Sequence, residues 1–370
     1  MVYIVHRKVR GRYYRYLVES YRNEQGQPRQ KNKCFGVVPE LPEDAPSCVV
    51  LFAGGGGVEV GMVMAGIRPV LGVEEDPTKP DLSRALARWN HLNFKPYGSR
   101  VIKLSVEDCA ANNFPNFPRN PDYLHASPMC SNFSKRKTNR KEELADKRSA
   151  IATAIAISEL QPRTFTLENV AEYRDSESWY YLEQTLKVQG YKIIHGVLDT
   201  ADLGIPQNRK RFWVKATLDK IPTFPEPENW VGWLEALADL IPNLPNSKLP
   251  ASKKPALEKQ LRHFPHVKAL LIQHTGGHQI KNPDEPCWTI TRSVFTDQKG
   301  NNRSNFADVW LSDGTVKALN LEAIARLQGF PSWYVFPEQM SIAGSIVGYS
   351  VPPLMMPKLL HQRSEKPCSS

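Results

Sequence analysis

An α/β fold built on a doubly wound, mostly parallel sheet is predicted by three features of this 370-residue chain. A short apolar strand, Cys48-Val-Val-Leu-Phe52, runs directly into Ala53-Gly-Gly-Gly-Gly57 and then into a stretch with the helical spacing of Val60, Val63 and Met64. A second apolar strand, Val70-Leu-Gly-Val73, ends in Glu74-Glu-Asp76, an acid about 20 residues past the glycine loop, where doubly wound folds hold a ribose hydroxyl pair. Helix and strand patterns then alternate: an alanine- and isoleucine-rich helix over 148–160 stopped at Gln161-Pro162, a strand over 164–167, another near 193–198 and a third at Phe212-Trp-Val214.

Composition narrows the class. With 41% hydrophobic and 23% charged residues the chain has the make-up of a globular protein, which excludes disordered and fibrous classes. No apolar run approaches the roughly 18 residues of a membrane-spanning helix, and Met1-Val-Tyr-Ile-Val-His-Arg7 lacks the ordered regions of a signal peptide, so a cytoplasmic protein is expected. The six cysteines are scattered without a C-x-x-C pair and read as reduced thiols. A net charge of +10 points to a polyanionic partner.

The charge is unevenly placed. Residues 1–36 hold nine Lys/Arg against two acids, and alternating aromatic or aliphatic and basic residues, broken at Gly11 and at Asn23–Gln27, predict three short strands in a meander. Such a sheet either lies along a phosphate backbone or is a solvated appendage. Val37–Pro46, with three prolines and three acids, reads as a linker.

Three chemical groups lie at strand ends. Cys130, in His125-Ala-Ser-Pro-Met-Cys-Ser-Asn-Phe-Ser134, follows Tyr123-Leu124 where a strand opens into a loop, the place where α/β enzymes expose nucleophiles. Glu168 ends the strand over 164–167, and Gln207, Arg209 and Arg211 share one face if their run is extended. Each has a plainer reading: a structural thiol, a surface acid or helix cap, a solvated arginine face. The glycine loop has no Gly-Lys-Ser/Thr and is no clean G-x-G-x-x-G, but with its strand, helix and acid it argues for a nucleoside cofactor.

Taken in order, these segments resemble the DNA cytosine carbon-5 methyltransferase family. Phe52-Ala-Gly-Gly-Gly-Gly-Val-Glu-Val-Gly61 is similar to its methyl-donor motif F-x-G-x-G-G-x-x-x-G, and Ser127-Pro-Met-Cys-Ser-Asn-Phe-Ser134 to its nucleophile motif P-P-C-Q-x-F-S. Glu168-Asn-Val170, Gln207-Asn-Arg-Lys-Arg211, Arg326-Leu-Gln-Gly-Phe-Pro331 and Gly348-Tyr-Ser-Val-Pro352 are similar to its E-N-V, Q-x-R-x-R, R-L-Q-G-F-P and G-N-x-V-P. Met129 and Ser131 depart from the nucleophile motif, and Tyr349 stands where the closing motif has asparagine.

The resemblance implies a Rossmann-like S-adenosylmethionine-dependent methyltransferase domain over 47–215 and 336–366, a smaller inserted target-recognition domain over 216–335, and a basic N-terminal β segment and linker over 1–42. Cys130 is then the nucleophile on cytosine carbon-6, Glu168 the partner of ring nitrogen-3, and Arg209 and Arg211 the groups fixing the base oxygen. S-adenosylmethionine would contact Phe52, Ala53, Gly54, Gly55, Gly56, Gly57, Glu74, Pro128, Tyr349 and Ser350, with Ser105 favoured by pattern and Asp108 by spacing for its adenine. The implied partners are duplex DNA, from which the base is flipped, and a cognate restriction endonuclease. A monomer is expected, with no metal and no membrane, since the spacing of His263, His266, His274 and His278 matches no common zinc site. The alternatives are the same chemistry on tRNA and a catalytically inactive DNA-binding protein.

Overall fold

A computed structural model describes residues 2–129, 142–274, 279–295 and 304–360. Cys130, Ser131 and His278 lie outside the described residues.

The basic N-terminal segment is an antiparallel meander of β1 (Val2–Val9), β2 (Arg12–Arg22) and β3 (Pro28–Val37). At 8, 11 and 10 residues the strands are longer than the short ones expected. Their first turn, Arg10-Gly11, takes positive φ at both residues (48° and 80°), the geometry whose twist suits a two-residue hairpin. In the second, the Asn23 side chain accepts from the amide of Gln27 at 2.8 Å.

The main sheet follows the linker. Its strands and helices run β4 (Ser47–Leu51), α1 (Gly57–Met64), β5 (Arg68–Val73), α2 (Pro80–Phe94), β6 (Arg100–Ile102), α3 (Val106–Ala111) and β7 (Tyr123–Ala126). They continue through α4 (Leu144–Leu160), β8 (Thr164–Val170), α5 (Glu177–Val188), β9 (Lys192–Asp199) and β10 (Lys210–Thr217). The spatial order is β6-β5-β4-β7-β8-β10-β9, with β10 antiparallel to both its neighbours. The β4 to β7 stretch pairs in parallel, so the chain winds outward from β4 to β6 and then restarts on the other side at β7. A reversal of this kind, here between β4 and β7, is the place where open α/β sheets bind ligands at their carboxyl ends. Helices α3, α4 and α5 cover one face of the sheet through Cys109, Ile157, Leu160, Leu182 and Leu186. On the other face α1 packs with the C-terminal helix through Val58, Met62, Met355 and Met356.

Two elements extend beyond their sequence expectation. Helix α4 begins four residues early, at Leu144, where Glu143 and Asp146 form a reciprocal capping box. Strand β8 continues to Val170 because β10 supplies ladder partners that far, so Glu168 lies inside the strand opposite Trp213.

Beyond β10 come α6 (Trp233–Leu237), α7 (Lys254–His263) and a second sheet of β11 (Ala269–Gln273), β12 (Ile280–Lys281), β13 (Ala307–Leu311) and β14 (Val316–Ala318), ordered β12-β11-β13-β14. The chain closes with α8 (Leu321–Gln328), α9 (Met340–Tyr349) and α10 (Met355–Leu360). The first pair of strands in the second sheet comes from one excursion and the second pair from another. Between the two excursions the segment Cys287–Ile290 returns to the main domain, where Cys287 bridges Gln207. At the neck of the first, the amide of Trp233 donates to the carbonyl of Glu285 at 2.9 Å. A Cβ on Gly232 would come within 2.3 Å of the carbonyl oxygen of Pro283, which keeps that neck closed around a glycine.

Candidate active site

The glycine loop lies at the carboxyl end of β4. Phe52, at φ +56°, turns the chain out of the strand while its ring packs on the α3–α5 side of the sheet. The four glycines divide their work. A Cβ at Gly55 would lie 2.7 Å from Ile346, one at Gly56 2.4 Å from Phe94 and one at Gly57 2.6 Å from Ser350, so these three are needed for close packing of α2, α9 and the Ser350 corner. Gly54 alone would meet nothing within 4 Å, and its face of the loop is open.

Beside that opening stands Glu74 at the end of β5. Its Oε2 accepts from the amide of Gly54 at 2.8 Å and its Oε1 from the Ser83 hydroxyl at 2.8 Å, and burial raises its pKa. Behind the loop Glu59 is fully buried, accepts from Asn90 at 2.8 Å, and is pushed up to about 7 by burial. The Tyr334 hydroxyl donates to the carbonyl of Gly55. Ser105 caps α3, accepting from the amide of Asp108 at 3.0 Å and donating to its carboxylate at 2.7 Å, so the two adenine candidates share one helical turn.

Next to β4, with Leu51 opposite Ala126, strand β7 is followed by Ser127–Met129, the last described residues before Cys130. Ser127 and Pro128 are held by neighbouring side chains. His125, fully buried, engages Thr166 of β8 through Nδ1 and Ser127 through Nε2, each at 2.9 Å, and burial pushes its pKa down to about 3, so the ring is neutral. Asn169 donates to the carbonyl of the buried Pro128 at 3.1 Å.

Glu168, 8% exposed, faces Arg211, whose Nε lies 3.0 Å from Oε1. Arg209 and Gln207 go elsewhere. The Arg209 guanidinium donates to the carbonyl of Ile290 at 3.1 Å, and Gln207 accepts from the amide of Ile290 at 2.9 Å. The period-of-two reading places all three on one face, but it requires a strand, and β10 starts only at Lys210. Gln207 also donates to Gln328 at 2.5 Å, and Gln328 donates to the carbonyl of Ser350 at 2.9 Å. This buried amide chain joins three of the sequence motifs. Tyr349 is turned toward the return segment, with its hydroxyl accepting from Arg292 at 2.6 Å, while the Ser350 hydroxyl donates to Ile346 at 2.6 Å.

His125, Gln328 and the pair Glu59–Asn90 join the site beyond the residues expected from sequence. A histidine inside an apolar parallel strand is itself a sign of a buried, satisfied ring, and it stood five residues before Cys130. The arrangement as a whole sets an acid–arginine pair, the held Ser127–Pro128 segment and an open glycine edge toward the carboxyl ends of three adjacent strands.

Residues 47–364 match the family described as C-5 cytosine-specific DNA methylase. The Type II methyltransferase M.HaeII of Haemophilus aegyptius is 28% identical over 314 residues, covering 81% of this chain and 87% of its own. M.NgoBI of Neisseria gonorrhoeae is 26% identical, with the same coverage of both chains. Among solved structures, an E. coli prophage-encoded putative DNA modification methyltransferase superposes with a TM-score of 0.56 at 18% identity, covering 85% of this chain and 97% of its own. The S. pombe Dnmt2 methyltransferase gives 0.55 at 18%, with the same coverage of both chains. These two similarities show a shared fold.

Proposed function

This chain belongs to the C-5 cytosine-specific DNA methylase family, and on that premise we propose how its residues divide the work of a DNA (cytosine-5-)-methyltransferase. The observation that carries the proposal is the shared edge: the glycine loop after β4, the segment Ser127–Met129 after β7 that precedes Cys130 in the chain, and the Glu168–Arg211 pair of β8 and β10 lie on neighbouring strands.

In this reading the Cys130 thiolate forms a bond to carbon-6 of a flipped cytosine. Opening the carbon-5–carbon-6 double bond makes carbon-5 nucleophilic. Glu168, oriented by Arg211, holds ring nitrogen-3 and the exocyclic amine and stabilises the charge that develops on the ring. S-adenosylmethionine, when bound, supplies the methyl cation equivalent. The carbon-5 proton passes to solvent water and the carbon-6–sulfur bond breaks to return the Cys130 thiolate, which restores the carbon-5–carbon-6 double bond. Arg209 acts from a distance, holding the return segment through Ile290. The open side of Gly54 and the buried Glu74 carboxylate suit a ribose-bearing donor, since each Glu74 oxygen keeps a lone pair beyond the bond it already accepts. Residues 47–215 with 336–366 form the catalytic unit and 216–335 the target-recognition region. Duplex DNA is the substrate and a cognate restriction endonuclease the cellular counterpart. No helix among the described residues is long and apolar enough to cross a membrane.

Incubation with labelled donor and either duplex DNA or tRNA tests the substrate: label in the duplex is expected, and label confined to RNA overturns the assignment. A 5-fluorocytosine duplex should trap a covalent adduct with the protein and none with Cys130→Ala. An adduct that survives the substitution would identify another nucleophile.

A further inference from the structure

The family match begins at residue 47, and the three-stranded sheet before it has no part in the chemistry above. Two observations give it one. The first is that the sheet is fixed to the enzyme. Arg15, fully buried in the middle of β2, donates to the Asn93 side chain at 2.9 Å and to the Asn93 carbonyl at 2.9 Å, and its guanidinium lies 4.6 Å from the Trp333 ring centroid. Asn93 in turn accepts from the amide of Val335 at 3.0 Å and donates to its carbonyl at 2.9 Å, so one arginine ties the sheet to both α2 and the turn after α8.

The second is where the remaining charge points. Of the nine Lys/Arg in residues 1–36, Arg15 is buried and the other eight are exposed. By strand alternation, the face opposite Arg15 carries Arg7, Arg12 and Arg22 with Tyr14, Tyr16 and Asn32 around the buried Val18, and no carboxylate, while Lys8, Arg29, Lys31 and Lys33 register on the side of Arg15. Arg7 is stacked on Tyr16 at 4.9 Å, which presents its guanidinium to solvent on a stiff support. The 11 residues of β2 span about 37 Å at roughly 3.4 Å each, close to one turn of duplex DNA. A rigid, acid-free, arginine-bearing face of that length is complementary to a phosphate backbone and has no reason to be preorganised on an enzyme that acts on a small molecule.

We propose that the outward face of the N-terminal sheet is a second duplex-DNA contact, gripping backbone phosphates away from the flipped base. The proposal rests on the reading of duplex DNA as substrate.

The test compares the full-length protein with the triple variant R7Q/R12Q/R22Q and with a matched control, K187Q/K192Q/K220Q, which removes three exposed cations near the β9 edge at the far end of the main sheet. Affinity for a 30-base-pair duplex is measured across salt concentrations. Every backbone phosphate that is no longer neutralised lowers the log–log salt slope by about 0.9, so the sheet variant should fall by about 2 to 3 units of slope while the control keeps the parent value. A parent slope in the sheet variant, or an equal fall in the control, overturns the proposal, the latter because it reports net charge alone. Stronger binding of an RNA hairpin than of the duplex, with the weakening confined to RNA, overturns the choice of partner. Methyl transfer by the unsubstituted protein to the same duplex is assayed in parallel. Its absence alongside a reduced slope in the sheet variant would reject the enzymatic reading and leave the contact standing. Because all three arginines are exposed, the thermal midpoint of the sheet variant should match that of the parent; a tenfold weaker affinity at low salt with an unchanged midpoint separates contact from stability.

Discussion

At Glu59 a carboxyl group fully buried behind the glycine loop is pushed up from 4.5 to about 7, first by burial. A raised folded-state pKa means that the folded protein holds the proton more tightly than the unfolded chain. The resulting stability is complete below about pH 4.5 and drains away as the pH rises to about 7. Glu59→Gln keeps a partner for Asn90 and removes the ionisation. It should match the parent near pH 4 and exceed it at pH 8 by at most about 3 kcal/mol in denaturant melts. Identical pH profiles would mean that Glu59 stays ionised in the fold. The glycines separate just as cleanly. Gly56→Ala meets Phe94 at 2.4 Å in a left-handed backbone and should cost about 2–4 kcal/mol. Gly54→Ala meets no neighbour and should cost about 1 kcal/mol, while raising KM for the methyl donor. Arg211→Gln removes the ion pair to Glu168 and should lower kcat by about 100-fold with KM for DNA little changed, which steady-state kinetics on a defined duplex would show.

At the level of elements, attachment of the N-terminal sheet depends on a buried cation held by carbonyls, an amide and aromatic faces. Arg15→Ala leaves the Asn93 carbonyl without its donor and should cost about 2–4 kcal/mol. Proteolytic cleavage in the linker over 37–46 is expected to accelerate in the variant, and an unchanged cleavage rate would show that other contacts carry the attachment. Arg15 also marks the limit of what the sequence discloses. In a segment with nine basic residues, nothing local distinguishes the one that turns inward, because its partners Asn93 and Trp333 are 78 and 318 positions away. The glycine loop and Glu74 were legible for the opposite reason: strand, loop, helix and acid are consecutive, and their spacing follows from local geometry. Glu168 was legible as an acid on this strand, though β8 runs two residues past it, and its pairing with Arg211 was not legible, since the paths of Arg209 and Gln207 are set by contacts with Ile290 more than 80 residues downstream.

Across the whole molecule, a net charge of +10 is not spread as a uniform field; an excess of seven lies in the first 36 residues, outside the matched family region. Deleting residues 1–42 would remove that charge but also uncover Tyr97, Trp333 and the surface around Asn93. The truncated protein should therefore melt at a lower temperature as well as bind DNA less well at low salt. Calorimetry that finds an unchanged midpoint would show that the sheet is energetically separate. The four-stranded sheet has a different consequence. Because β11 and β12 arrive in one excursion and β13 and β14 in another, with Cys287–Ile290 anchored to Gln207 between them, the region we propose for target recognition is not a single cassette. A hybrid enzyme given only one excursion from a relative would join a foreign strand edge to a native one at the β11–β13 seam. Grafting a new sequence preference onto this scaffold therefore calls for two simultaneous exchanges, with the return segment left native between them.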